Sequence, residues 1–130
     1  MEKAGRIDPW SSEQSTDYAR IVSQFGLSSV EPDSLPNPGM LHRRGIVFAH
    51  RDLDVVVDCM GAGNPFGVLT GLMPSGRMHL GHSMVIEQVR WFQEQGADVT
   101  VAVADLEALA TRGTSISKGR QTALREYVLN

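Results

Sequence analysis

Two short apolar runs, Phe66-Gly67-Val68-Leu69-Thr70-Gly71 and Val99-Thr100-Val101-Ala102-Val103-Ala104, bracket an amphipathic stretch at 80–95. Runs of this length suit buried strands. The stretch between them repeats apolar residues at Val85, Val89 and Phe92, with Met84 and Ile86 beside them, and reads as a helix. Gly96 then stops it as a left-handed cap. A further helix is expected over 117–129, with Leu124, Tyr127 and Val128 on its apolar side. Strand, helix, strand, helix is the opening of a parallel α/β sheet. Parallel sheets are covered on both faces, so two strands do not complete one. The helical pattern is still running at Tyr127-Val128-Leu129-Asn130. The expectation is therefore the front of a longer protein, with an incomplete sheet.

Upstream the pattern is looser. Pro9, Pro32, Pro36, Pro38 and Gly39 punctuate residues 1–40, and proline resists helix interiors. One short helix fits there. Asp17 is placed to cap it, Tyr18, Ile21, Val22 and Phe25 recur at helical spacing, and Gly26 ends it. Residues 31–39 read as a connector. The segment from Asp52 to Met60 reads as a helix with Leu53, Val56, Val57 and Met60 on one side. The β-branched run Val55-Val56-Val57 leaves strand as the alternative.

Composition removes several classes. A chain of 130 residues has room for one domain of ordinary size. With 42% hydrophobic and 21% charged residues it is neither a disordered tail nor a coiled coil. No apolar run reaches the ~18–20 residues that span a bilayer, and the first residues show no signal-peptide pattern. Net charge is −3, which argues against a surface that wraps nucleic acid throughout. The single cysteine, Cys59, excludes an internal disulfide and suits a reducing cytosol.

The chemistry concentrates in the loop from the first strand to the helix, Gly71-Leu72-Met73-Pro74-Ser75-Gly76-Arg77-Met78-His79-Leu80-Gly81-His82. Open α/β sheets bind ligands at this position, and the N–H groups and dipole of a helix N-terminus favour phosphate. Gly81 allows close approach to the backbone. His79 and His82, three residues apart, are placed to donate to phosphate oxygens. A metal site is the competing reading of two histidines, but no cysteine or further histidine accompanies them, and none is expected. His50-Arg51-Asp52-Leu53 imitates a kinase catalytic loop, yet Val57 stands where the asparagine is required, and His50 and Arg51 read as scaffold.

The string His79-Leu80-Gly81-His82 resembles the HIGH signature of class I aminoacyl-tRNA synthetases, and Pro74-Ser75-Gly76 matches the tripeptide that tyrosyl and tryptophanyl members place ahead of it. Arg43-Arg44-Gly45-Ile46-Val47-Phe48-Ala49-His50-Arg51-Asp52-Leu53, then Pro65-Phe66, then Thr70-Gly71, is similar to a run in archaeal and eukaryotic tryptophanyl-tRNA synthetases. Asp8-Pro9-Trp10, Asp17-Tyr18 with Phe25-Gly26, and Ala104-Asp105-Leu106-Glu107-Ala108 look like that family too. The resemblance runs from about Asp8 to the end.

It implies a family-specific extension over 1–64 and, over 65–130, the first half of a Rossmann-type (HUP-like) catalytic domain. The implied activity joins ATP, with Mg2+, to tryptophan as an adenylate and then charges tRNA(Trp) through regions outside this chain. The implied setting is cytoplasmic and homodimeric, with no membrane. By resemblance His79 and His82 are catalytic. Pro74, Ser75, Gly76, Arg77, His79, Gly81 and His82 bind ATP, with Gly81 under the adenine. Leu69, Gly71 and Glu107 line the amino-acid site, Glu107 at the ammonium end. Two positions depart from the family pattern: Leu69 stands where relatives often carry an aromatic residue, and Ala102 where they carry a polar one. The lysine-bearing KMSKS signature is absent, and Ser115-Ile116-Ser117-Lys118-Gly119 reads as a helix start instead. These residues alone are expected to be inactive. The alternatives are a tyrosyl enzyme and a non-catalytic nucleotide-binding remnant.

Overall fold

The computed structural model describes residues 18–113 and 115–129. The expected cap Asp17 and the Asp8-Pro9-Trp10 string lie outside them. Helix α1 (Tyr18–Phe25) ends at Gly26, whose φ of +58° is the left-handed turn that favours glycine. Strand β1 (Ser28–Ser29) pairs antiparallel with β2 (Ala49–His50), placing Ser28 opposite His50. Between them lie a 3-10 turn at Pro32–Ser34 and the short helix α2 (Met40–Arg43), neither of which carries a strong periodicity. The stretch 31–39 is more than a connector, because Leu35 is buried in the core.

Helix α3 (Leu53–Ala62) settles the choice between helix and strand. It runs through Gly61 and ends at Gly63, φ +66°. Leu53, Val56, Val57 and Met60 are half-buried as the spacing predicts, while Val55 is exposed. Two scaffold residues shape its approach. Nδ1 of His50 accepts from the Leu53 N–H at 3.1 Å, and Arg51 donates to the Phe25 carbonyl at 2.7 Å, closing the end of α1.

Strand β3 (Gly67–Leu72), helix α4 (Leu80–Glu94) and strand β4 (Asp98–Val103) form the expected parallel unit, with Leu69 beside Thr100 and Gly71 beside Ala102. Gly96, φ +98°, follows α4 as expected. The strands are not buried as expected. Along β3, Gly67, Leu69 and Gly71 are exposed while Val68 and Thr70 are half-buried and Leu72 is buried; Leu69 is 75% exposed. Helix α4 packs on both strands and covers one face only, so alternate side chains stand open on the other.

On its far side α4 meets the extension. Trp91 is 4% exposed and clusters with Val30 and Leu35, against which Val47, Leu53, Val57, Met60 and Phe92 pack. Burying such a side chain contributes about 2–3 kcal/mol. Its indole N–H donates to the Asn37 carbonyl at 2.9 Å. His42, 1% exposed, lies with its ring 4.4 Å from that of Trp91. Nδ1 of His42 accepts from the Gly39 N–H at 3.1 Å, so Nε2 carries the proton. Nε2 faces the amide of Gln88 at 3.0 Å, whose Oε1 otherwise has no partner. Turning that amide so its oxygen meets the imidazole N–H satisfies both groups.

Helix α5 (Asp105–Arg112) follows directly on β4 and carries the Asp105-Leu106-Glu107-Ala108 string. It packs on α6 (Ile116–Thr122), and the small residues Ala108, Gly119 and, just past α6, Ala123 are buried. Ser115 caps α6, its Oγ accepting from the Lys118 N–H at 3.4 Å. That is the helix start expected for the Ser115–Gly119 string. Beyond Thr122 the chain winds as a π-helix over Ala123–Val128. The wider turn breaks the 3.6-residue period on which the expected apolar side rested. Leu124 and Val128 are therefore exposed, and Ala123 and Tyr127 turn inward.

Candidate active site

The parallel pair ends with both carboxyl ends on one side. Leu72 closes β3 and feeds the motif loop; Val103, its partner in register, closes β4 and feeds α5. The loop is tethered at Met73 and Pro74. Pro74 is fully buried. The Met73 carbonyl accepts from the Ser75 N–H at 2.8 Å and the Tyr127 hydroxyl at 3.3 Å. Its sulfur lies 3.2 Å from the Thr111 hydroxyl of α5, whose single proton goes to the Glu107 carbonyl at 2.8 Å. Ser75, Gly76 and Arg77 are exposed beyond the tether.

His79 and His82 cap α4 reciprocally. Nδ1 of His79 accepts from the Gly81 N–H at 3.2 Å, and Nδ1 of His82 accepts from the His79 N–H at 3.3 Å. The rings lie 4.0 Å apart, tilted by 54°. A nitrogen that accepts from N–H carries no proton, so in each neutral ring the proton sits on Nε2. The pair thus presents N–H donors away from the backbone. The expectation of open backbone donors is corrected here, because the imidazoles already occupy the N–H groups of His79 and Gly81. Gly81 likewise has a reason in the chain itself. A Cβ there would sit 3.1 Å from Cε1 and 3.2 Å from Nδ1 of His79, so the glycine makes room for the His79 ring.

The two histidines are not equivalent. His79 is exposed, and no described residue meets its Nε2. His82 is half-buried, and its Nε2 lies 3.3 Å from the Tyr127 hydroxyl. Burial first, and then the neighbouring His79, hold the His82 imidazole below its ordinary pKa, so it is neutral at pH 7. Burial, helped by Glu126, pushes the Tyr127 phenol up, so it keeps its proton.

Arg77 lines an open hollow of about 220 Å³ with Gly76, Gln121, Thr122, Arg125 and Glu126. Arg125 and Tyr127 carry no motif signal and reach the loop from the π-helical stretch. Leu69 and Gly71 share the open face of the sheet, two residues apart. Gly71 is not forced by crowding, since a Cβ there would meet only the Ala102 carbonyl oxygen at an ordinary 3.9 Å. Glu107 is half-buried in the first turn of α5. The structure thus draws His79, His82, Gly81 and the loop together, and sets Leu69, Gly71 and Glu107 at the same sheet end without a direct contact to the histidines. Among the described residues no three His, Cys, Asp or Glu side chains gather as a metal site, and no helix is long and apolar enough to cross a membrane.

The family model for class I tRNA synthetases of the tryptophan and tyrosine type matches residues 62–130. The tryptophan–tRNA ligase of Methanosarcina acetivorans is 44% identical across 96% of this chain. The chain belongs to the class I tRNA synthetases of the tryptophan and tyrosine type. It spans 29% of the length of that Methanosarcina synthetase. The crystal structure of the tryptophanyl-tRNA synthetase of Aeropyrum pernix K1 superposes with a TM-score of 0.75 at 38% identity, covering 94% of this chain and 35% of that one. The tryptophanyl-tRNA synthetase of Encephalitozoon cuniculi, solved bound to tryptophan, superposes at 0.74 with 26% identity, over 82% of this chain and 34% of that one. The incomplete α/β sheet read from the two apolar runs is thus part of the Rossmann-like domain of class I synthetases. ATP use is a property of that family.

Proposed function

We propose that this chain supplies the ATP and amino-acid sites of a tryptophan–tRNA ligase. Residues 1–64 act as an extension, whose described residues between Val30 and Met60 buttress α4, and residues 65–130 as the first half of the catalytic domain. The observation that carries the reading is the reciprocal cap of His79 and His82 at the carboxyl end of β3, which turns both Nε2–H groups away from the helix backbone, that of His79 into the open and that of His82 toward the Tyr127 hydroxyl. In the first step the tryptophan carboxylate attacks the α-phosphorus of ATP. The bond to the bridging oxygen breaks, and pyrophosphate leaves with the electron pair. In the second step a ribose hydroxyl of tRNA(Trp) attacks the adenylate carbonyl and AMP leaves. His79 and His82 stabilise charge on the phosphates through preorganised donors. Pro74, Ser75, Gly76 and Arg77 hold the nucleotide, and Gly81 keeps the His79 ring in place beside it. Leu69 and Gly71 floor the amino-acid site, and Glu107 pairs with the ammonium. Mg2+ enters with the nucleotide as the counter-ion of its phosphates. The whole enzyme is cytoplasmic and homodimeric. The 130 residues alone give no activity, because the lysine loop is not among them and one sheet face stands open.

A chimera tests this. The aligned segment of the Methanosarcina acetivorans ligase is replaced by this chain, and ATP–pyrophosphate exchange is measured with tryptophan and with tyrosine. Exchange with tryptophan is expected. Exchange with tyrosine alone overturns the substrate, and a folded chimera without exchange makes the chain a non-catalytic remnant.

A further inference from the structure

Helix α6 is followed by one π-helical stretch, marked by the i→i+5 bond from the Leu129 N–H to the Leu124 carbonyl at 3.1 Å. Such turns cluster at functional sites because they re-aim a side chain that an α-helix would place elsewhere. The residue re-aimed here is Tyr127. Its ring meets His82 edge-on, with centroids 5.3 Å apart and planes at 86°. Its hydroxyl lies 3.3 Å from both Nε2 of His82 and the Met73 carbonyl. Donors and acceptors match in one direction only. Nδ1 of His82 is an acceptor, so Nε2–H donates to the tyrosine oxygen, and the tyrosine O–H donates to Met73.

We propose that Tyr127 is a positioning residue for the adenylate-forming step, holding the His82 ring by its Nε2–H and tying it to the motif loop through the Met73 carbonyl. The hydroxyl occupies the place of a ligand oxygen and keeps the imidazole turned for donation before nucleotide arrives. His79, whose Nε2 meets no described residue, needs ligand to fix its outer edge. A tyrosine at this distance in sequence, 45 residues after His82, joins the site only through the tertiary fold. The catalytic consequence rests on the synthetase reading above; the contact itself does not.

The test has two arms. In the 130-residue chain, long-range proton–nitrogen spectra of the imidazoles report the tautomer directly. Wild-type His82 is expected as the Nε2–H form, and Tyr127→Phe, which keeps the ring and removes only the hydroxyl, is expected to shift the Nε2 resonance. A wild-type Nδ1–H tautomer, or an Nε2 resonance indifferent to the substitution, overturns the contact. In the chimera, Tyr127→Phe is expected to lower kcat about tenfold with little change in KM for tryptophan. In a His82→Ala background the same substitution is expected to cost less than about twofold. Equal losses in both backgrounds mean Tyr127 acts only on folding, and sink the proposal. An inactive wild-type chimera instead defeats the synthetase reading, leaving the spectroscopic arm to decide the contact.

Discussion

His79 gives its backbone N–H to Nδ1 of His82 at 3.3 Å, across the first turn of α4. One bond thereby does two things. It satisfies a helix donor that would otherwise be unpaired, and it fixes Nε2 of His82 as the nitrogen that donates away from the helix, in this structure to the Tyr127 hydroxyl. The helix cap and the candidate catalytic pair are the same atoms. A purely structural cap would be served as well by serine or aspartate, neither of which leaves a neutral N–H donor facing away from the helix.

His82→Ala should therefore separate stability from chemistry. The cap bond it deletes is worth about 1 kcal/mol of folding free energy. A preorganised transition-state donor is worth about 3–4 kcal/mol, or 10²–10³ in rate. In the chimera kcat for tryptophan-dependent exchange is expected to fall by about that factor, while the urea midpoint moves only slightly. A midpoint that collapses while exchange is largely kept would reverse the assignment.

Gly81→Ala probes the same geometry from the other ring. Alanine is favoured over glycine in a helix by up to about 1 kcal/mol. Its Cβ, however, would press on the His79 ring at 3.1 Å, and that ring must swing away. Stability within about 1 kcal/mol of wild type is expected, with kcat reduced about 10²-fold, the usual consequence of misplacing a group by an ångström. Full activity in a variant that retains its stability would show that the His79 position does not matter.

The strand–helix–strand core was readable because its periods were clean. Val89 and Phe92 sit on a 3.6-residue repeat, and the runs around Val68 and Val101 have strand length. The histidine pair was readable because a local motif carries it. Three features were hidden, each for a physical reason. The exposure of Leu69 depends on what covers the second face of the sheet, which no local pattern reports. Helix α5 begins without a side-chain cap bond at Ala104, so no punctuation announces it. Tyr127 was placed on an apolar side by a helical period that the π-turn breaks, and its hydroxyl meets His82 only in the folded chain.

Stability should also fall in mild acid. Burial first, and then Arg43, hold the His42 imidazole below its ordinary value of about 6.5. Its Nδ1 faces the Gly39 N–H, and a proton there would set donor against donor. The folded chain therefore binds fewer protons than the unfolded one below about pH 6.5, and the stability present above that pH is lost on acidification. The slope approaches at most about 1.4 kcal/mol per pH unit for His42, with a smaller share from the partly exposed His82, which shifts in the same direction. Urea unfolding measured from pH 7.5 to 5 checks this, and a profile that is flat or rises toward acid contradicts it.

Trp91 links the extension to the helix that carries the histidines, so its loss should be felt unevenly. Trp91→Phe removes the N–H bond to the Asn37 carbonyl and part of the buried volume beside Val30 and Leu35. A hydrogen bond and a small cavity together cost about 2 kcal/mol, and Trp91→Ala about 3–5 kcal/mol. The damage falls on the extension side of α4, because the residues clustered with Trp91, apart from its neighbour Phe92, all come from the extension. In amide hydrogen exchange of Trp91→Phe, the Val30 N–H, bonded to the Phe48 carbonyl at 3.0 Å, is expected to lose protection before the N–H groups bonded between β3 and β4. Equal loss in both regions would mean that the extension and the sheet open as a single unit, with Trp91 serving both alike.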